Sequence, residues 1–518
     1  MELWTREIQT NAQGKIRVDQ FVLDEDYNVP DSKGDMQRII ASEAKPIVEN
    51  VVRVENYVRV SGKLEFQILY VGEGLEPSLS SLEGKLPFEE MVYTEMGEEM
   101  YEVKMVRADL RASMIHSRKL RLKALVELEL EEQKECSESI PLDVESDIPL
   151  YKKTGKKDLL TLFAKRKDTY RIKEEITLPG TKETIGCLLW TDIQNRKLNT
   201  KLEMDEFVLQ GELQVFCFYE SPDGKMDWIE QTVSYQGRIP CQGAEESMYH
   251  QVQADLEEVT TELRMDEDGE QRIIGIEATM KILLTVYQEE NFEILEDLYS
   301  LEKQCSLSSK EVVCEKLVLQ NHSKCKLSQK LSLPELKNSV LQICHSSGTI
   351  QVEQMKLAEQ GVLVEGALHL SFLYVKANDE IPFDTWCGMI PFSHLIECKD
   401  VRPNIRYHVS PLLEQISVTM LGGDEVEAKA VLAFHCFFRD SELCEMICDV
   451  KVDEFTQNEH GKFPGVIGYI VKPKDDLWTL AKKYRTTKEG IMEVNEMAEE
   501  TLKVGERILI FKENMSIL

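Results

Sequence analysis

The chain has 518 residues and carries 61 basic against 93 acidic side chains, a formal net charge of −32, which is the wrong sign for wrapping the phosphates of a nucleic acid. Its content of 42% hydrophobic and 30% charged residues belongs to a globular protein able to bury a core in each of about three or four domains, and excludes long disordered spans. The acid is uneven, because from Val466 onward nine basic residues balance nine acidic ones and the whole excess lies before that point.

The first residues, Met1-Glu2-Leu3-Trp4-Thr5-Arg6-Glu7, lack a basic region followed by an apolar run, and no stretch reaches ~18 uninterrupted apolar residues. Neither a secretory signal nor a membrane span is expected. Thirteen cysteines are an odd number, and several, such as Cys217 and Cys436, sit inside strand patterns. They read as reduced thiols of a cytoplasmic protein rather than a disulfide framework.

Residues 1–25 are a polar lead-in with one apolar cluster, Val18, Phe21, Val22 and Leu23. Next comes an organising stretch, V-S-G-K-L-E-F-Q-I-L-Y from Val60 to Tyr70, in which apolar residues alternate with polar or small ones, the pattern of a strand with one buried face. The pattern returns at Leu209–Tyr219 and Val364–Tyr374, and the central glycines, Gly62, Gly211 and Gly366, lie 149 and 155 residues apart. That period is a whole domain, not a solenoid repeat. Three further landmarks accompany the glycines. A Pro-x-x-Lys element lies 32 residues upstream (Pro30 with Lys33, Pro179 with Lys182, Pro334 with Lys337), prolines follow by 25, 29 and 25 residues (Pro87, Pro240, Pro391), and alanines of a second strand pattern follow by 62, 67 and 62 (Ala124, Ala278, Ala428).

The fold expected is mainly β: three repeated antiparallel modules, each a sandwich or partly closed barrel, followed by a small α+β domain. Repeat one is assigned to 1–135, repeat two to 174–290, repeat three to 326–450 and the last domain to 466–513, with linkers at 136–173 and 291–325. Leu120, Leu122, Ala124, Val126, Leu128 and Leu130 should share one buried face. Each central glycine should mark a bulge or the close approach of a neighbouring backbone.

In the first linker, eight basic residues between Tyr151 and Lys173 surround Leu159, Leu160, Leu162 and Phe163. This reads as a basic amphipathic helix, able to meet anionic lipid or an acidic partner, or more plainly packed against the chain's own acidic modules. Asp266-Glu267-Asp268-Gly269 superficially resembles a calcium loop but lacks its ligand spacing, and is expected as a hairpin turn. Cys444 and Cys448 near His435 and Cys436 lack a second ligand pair, so no metal is assigned. No phosphate loop, nucleophile elbow, HExxH or dinucleotide fingerprint is present. Neither catalytic residues nor a cofactor are assigned, and threefold repetition favours a scaffold over an enzyme.

The last fifty residues read as strand, helix, helix and strand. Tyr469 to Lys472 is the first strand, Asp475 or Asp476 caps a helix carrying Leu477, Leu480, Ala481 and Tyr484, and a second helix from about Thr487 turns Ile491 and Val494 inward and ends by Asn495. Arg507 to Phe511 closes the unit. Tyr469, Val471, Asp475, Leu477, Ala481, Tyr484, Ile491, Asn495, Leu502, Val504, Gly505, Leu509 and Ile510 match the LysM pattern, and the unit resembles a LysM domain. It departs from that pattern at Lys474, Asp476 and Phe511, where the family has Gly, Thr and Pro around its N-acetylglucosamine grip.

With such a tail, the three modules resemble SPOCS domains, a sporulation-associated family of endospore-forming bacteria. The resemblance implies a non-catalytic spore coat morphogenesis factor in the mother cell cytoplasm, at the forespore surface and coat. It also implies that the LysM domain holds the coat-basement ATPase, stage IV sporulation protein A, among other coat proteins. Peptidoglycan is the alternative ligand, for a cell wall or cortex-remodelling protein. The partner-binding face is expected to comprise Lys474, Asp475, Asp476, Leu477, Trp478, Ile491, Met492 and Asn495, with Trp478 near the surface as an anchor.

Overall fold

A computed structural model describes residues 1–73, 78–95, 100–336, 340–377, 381–399, 401–455 and 465–512. Each module consists of six antiparallel strands. The first has β1 (Glu2–Asn28), β2 (Met36–Val54), β3 (Tyr57–Gly72), β4 (Ser78–Tyr93), β5 (Met100–His116) and β6 (Lys119–Glu145). The second runs β7 (Tyr151–Thr177), β8 (Cys187–Glu203), β9 (Glu206–Glu220), β10 (Met226–Pro240), β11 (Tyr249–Met265) and β12 (Gln271–Tyr299). The third runs β13 (Gln304–Ser332), β14 (Val340–Ala358), β15 (Gly361–Lys376), β16 (Phe383–Glu397), β17 (Ile405–Gly422) and β18 (Glu425–Asp453).

Within a module the second, third and fourth strands form one sheet, and the first, sixth and fifth form another, the sixth in the middle. The two sheets face each other across a core. In the first module Leu64, Phe66, Ile68 and Tyr70 of β3 meet Leu120, Leu122 and Ala124 of β6. The six alternating residues Leu120, Leu122, Ala124, Val126, Leu128 and Leu130 are fully buried, as their alternation predicts, while Leu125 on the opposite face is exposed. The sandwich expectation holds.

The central glycines occupy one structural position, the middle of the central strand of the first sheet. Gly62 lies opposite Phe88, Gly211 opposite Tyr235 and Gly366 opposite Phe392, and on the other side each sits next to a register shift, at Val48/Asn50, Asn195/Lys197 and Val352/Gln354. A Cβ at these positions would lie 2.1, 2.3 and 2.0 Å from the carbonyl oxygens of Ile47, Lys197 and Gln351. The bulge pushes a carbonyl into the space a side chain would fill, and the facing aromatic ring covers the gap. Only glycine fits there.

Ala124, Ala278 and Ala428 likewise share one position, in the buried face of the sixth strand. The upstream prolines mark a turn whose preceding residue bonds at the very start of that strand or just before it: Val29 N–H to Arg118 O at 2.9 Å, Leu178 to Arg272 at 2.8 Å and Leu333 to Asp424 at 2.7 Å. Lys337 lies outside the described residues. The downstream prolines are equivalent only in part, because Pro87 and Pro391 adjoin the ring over the glycine whereas Pro240 ends its strand, opposite Glu206. Asp266–Gly269 is the expected hairpin turn, with Gly269 at φ 81°.

The stretches expected as a polar lead-in and as linkers are strands instead. Residues 136–145 continue β6, 151–173 lie in β7, 291–299 end β12 and 304–325 begin β13. The first and last strands of each module therefore run on past the sandwich as long two-stranded ribbons. No basic helix forms between Tyr151 and Lys173, since β7 pairs along its length with β12. Its charges are met within the chain, Lys152 by Asp143 at 2.6 Å, Lys167 by Glu102 at 2.6 Å and Lys173 by Glu277 at 2.7 Å.

The three ribbons pack on one another. Ile8 and Ile140 of the first, Leu159, Phe292 and Ile294 of the second, and Val312, Cys314, Cys444 and Met446 of the third share one core. A second shared core lies between the first sheets of the modules, where Leu69, Phe218 and Leu373, each seven residues after its glycine, converge. Polar contacts close the ring. Gln253 of module two donates to Lys104 O of module one at 2.9 Å, His345 of module three meets Asp192 of module two at 2.9 Å, and Thr385 of module three donates to Ile40 O of module one at 2.6 Å. Among the described residues, no helix is long and apolar enough to cross a membrane.

Candidate functional site

The tail folds in the order its periodicity predicts, although its first strand, expected from Tyr469 to Lys472, lies at Val466–Ile470, where it pairs with the closing strand. Strands β19 (Val466–Ile470) and β20 (Arg507–Phe511) pair antiparallel, with α1 (Leu477–Tyr484) and α2 (Lys488–Val494) between them. Helix α1 begins where it does because Asp476 is extended and its carboxylate accepts the Thr479 N–H at 2.8 Å. Helix α2 begins at Thr487 for the same reason, its hydroxyl accepting from Gly490 at 2.9 Å. Leu477, Leu480, Ala481, Tyr484, Ile491, Ile508 and Ile510 form the core, whereas Val494, expected inside, is exposed.

The residues expected to form one partner-binding face do not form a continuous open surface. Leu477 and Ile491 are buried in the core. Asn495 is a clamp, donating to the carbonyls of Ile491 and Leu509 and accepting from the Leu509 N–H, each at 2.7 Å, so it ties α2 to β20. Asp475 braces the loop, accepting from Tyr469 Oη at 2.8 Å and Lys472 N–H at 2.7 Å. Those two hydrogen bonds hold its carboxyl below the usual range. Lys474 is an exposed turn residue at φ 71°, and Met492 is half-buried. A unit of about fifty residues needs most of its large side chains for its own core.

Trp478, expected near the surface, is only 8% exposed, and what covers it lies far away in sequence. Its indole Nε1 donates to Asp297 Oδ2 at 2.8 Å, and its ring meets Tyr299 edge-on with centroids 5.0 Å apart. Lys482, one turn along α1, pairs with the same Asp297. Tyr299 stacks on Tyr151 at 5.1 Å and donates through Oη to Thr486 O at 2.9 Å, while Lys153 lies 3.7 Å from Asp476. These residues sit at the end of the second ribbon, where Tyr151 and Tyr299 are register partners and a bulge between Leu295 and Asp297 sets the carboxylate's direction. Sequence reasoning missed this dock, and no local motif marks it.

A second polar site lies between the first sheets of the modules, lining a cavity of about 1480 Å³. Glu43, Asp192 and Ser347 face it, each ten residues after the Lys of its Pro-x-x-Lys element. His345 is buried with its ring stacked 4.0 Å from Phe216 and its nitrogens 2.9 Å from Asp192 and 3.3 Å from Glu230. Burial alone would lower its pKa, but hydrogen bonds to the two carboxylates outweigh that and hold it at about 9. Desolvation, reinforced by the Asp192 charge, pushes Glu43 up to about 7. The imidazolium thus works as an ionic tie between modules two and three. Among the described residues, no group of three or more His, Cys, Asp or Glu side chains is arranged to hold a metal ion. His435 instead stacks on His322 at 4.1 Å, and Cys448 donates to Ser308 O.

The profile of the SipL, SPOCS domain family matches residues 35–115, 184–264 and 339–421, and that of the LysM domain matches residues 469–511. In each module the SPOCS match covers the second to the fifth strand, leaving the first and last strands, which build the ribbons, outside it. No curated protein and no solved structure matches the chain. The chain is of the SipL type, three SPOCS domains followed by a C-terminal LysM domain.

Proposed function

We propose that the chain is a non-catalytic scaffold of spore coat morphogenesis, which binds the coat-basement ATPase, stage IV sporulation protein A, through its LysM domain and promotes coat localisation and encasement around the forespore. SPOCS and LysM domains fit a sporulation coat protein with a tail of the peptidoglycan-binding type, and both are binding modules rather than catalytic ones. The observation that carries the reading is the union of three SPOCS modules around shared cores with one LysM unit at a ribbon end. Such a body presents several surfaces at fixed separation, which suits an assembly factor of the mother cell cytoplasm working at the forespore surface.

A second reading, binding of peptidoglycan or another carbohydrate, is favoured by LysM membership itself. Against it stand Lys474, Asp476 and Phe511 at the pattern positions of the sugar grip, together with the covering of Trp478. Purified components separate the two. The full chain, and a chain ending at residue 465, are tested for binding to the purified ATPase and for co-sedimentation with purified peptidoglycan. The scaffold reading expects ATPase binding that requires residues 466–518. Tail-dependent retention on peptidoglycan with no ATPase binding would overturn it.

A further inference from the structure

We propose that the LysM unit is held closed in cis: the dock formed by Tyr151, Asp297 and Tyr299 occupies the Trp478 face, so that docking on the ribbon and binding of the coat partner exclude one another. This rests on the reading that the LysM domain binds that partner, and it adds how the binding is regulated.

Three kinds of contact converge on the same patch of α1. Asp297 accepts the indole N–H of Trp478 and pairs with Lys482, Tyr299 meets the indole edge-on, and the Tyr299 hydroxyl caps the Thr486 carbonyl just past the helix end. The receiving side is braced by its own ribbon. Asp297 is aimed by a bulge and also accepts the Leu298 N–H at 2.8 Å, and Tyr299 is backed by Tyr151 across the ribbon. A Trp left 8% exposed offers a macromolecule no anchor. Its indole becomes available only when α1 leaves the dock, and a partner then sees an affinity reduced by the fraction of molecules that are open.

The charged contacts of the dock are partly open to solvent, with side-chain exposures of 35% and 25% for Lys482 and Asp297, and 42% and 49% for Lys153 and Asp476. Pairs of this kind add little stability and weaken with salt. The aromatic contacts and the hydrogen bonds made by Trp478 and Tyr299 therefore hold most of the closed state.

The test uses the full chain as wild type, Asp297→Ala, Tyr299→Ala and the double variant, with Tyr299→Phe as the mild control that keeps the ring and loses only the bond to Thr486. Hydrogen exchange of residues 477–486 reports docking without reference to any partner, and titration with the purified coat-basement ATPase reports binding. Exchange is expected to quicken in the variants, most in the double variant. Affinity should rise about tenfold or more over wild type, with Tyr299→Phe in between. Unchanged exchange in the double variant would show that the dock does not hold the tail and would overturn the inference. Quickened exchange with unchanged ATPase affinity would also overturn it, while leaving the LysM domain as the binding unit. If neither wild type nor the opened variants bind, the partner reading fails and the inference falls with it.

Discussion

Gly211 shows how one residue can be fixed by its surroundings on two sides. A Cβ there would sit 2.3 Å from the Lys197 carbonyl and from the Tyr235 hydroxyl, and that hydroxyl is itself held by Asn195 Oδ1 at 2.9 Å. Gly211→Val should lower stability by about 1–3 kcal/mol, seen as a lower denaturation midpoint, because neither backbone nor ring can give way without cost. An unchanged midpoint would remove the claim. His345 makes a different prediction. Its pKa, about 9 in the folded protein, stands above the ordinary 6.5, so its ionic tie contributes fully below pH 6.5 and is lost as pH rises through about 9. Denaturation midpoints of the wild type should fall between pH 7 and 9.5. In His345→Gln most of that fall should disappear, because the imidazole is the group whose contribution is lost in this window.

The sandwich strands were legible because each has one wet and one dry face, and a period of two follows directly. The ribbons were not. Leu159, Leu160 and Thr161 are buried in succession, because that part of β7 is covered by other ribbons on more than one side, and the alternation that announces a strand is erased. Lysines at 152, 153, 156 and 157 then made the stretch look like a solvated linker. The tail helices were legible from their caps and apolar spacing, but the dock was not, since Asp297 lies 181 residues from Trp478 in sequence. At this scale the third ribbon is held by Glu315, only 2% exposed, which accepts from Arg439 Nη1 at 2.7 Å, while Arg439 lies 5.2 Å over the Tyr287 ring of module two. Glu315→Ala strips a buried guanidinium of its carboxylate and should cost about 3–5 kcal/mol, measured by chemical denaturation. A loss below about 1 kcal/mol would mean that the pair is not buried in solution.

For the whole molecule, the repeats are legible as a period but their assembly is not, because Leu69, Phe218 and Leu373 look like ordinary strand residues until three sheets bring them together. The three modules form one body with shared cores, not beads on a string. A chain beginning at residue 151 should therefore expose Leu159 and Val312, partners of the missing first ribbon, and associate or aggregate on size-exclusion chromatography. A well-behaved monomer would contradict the shared core. The proposed role is tested most directly in the sporulating bacterium, by replacing the chain with one ending at residue 465 and imaging the coat by electron microscopy. Coat material should then collect away from the forespore while the cortex forms beneath; a normally encased forespore, or a defect confined to the cortex, would contradict a tail that joins this scaffold to the coat basement.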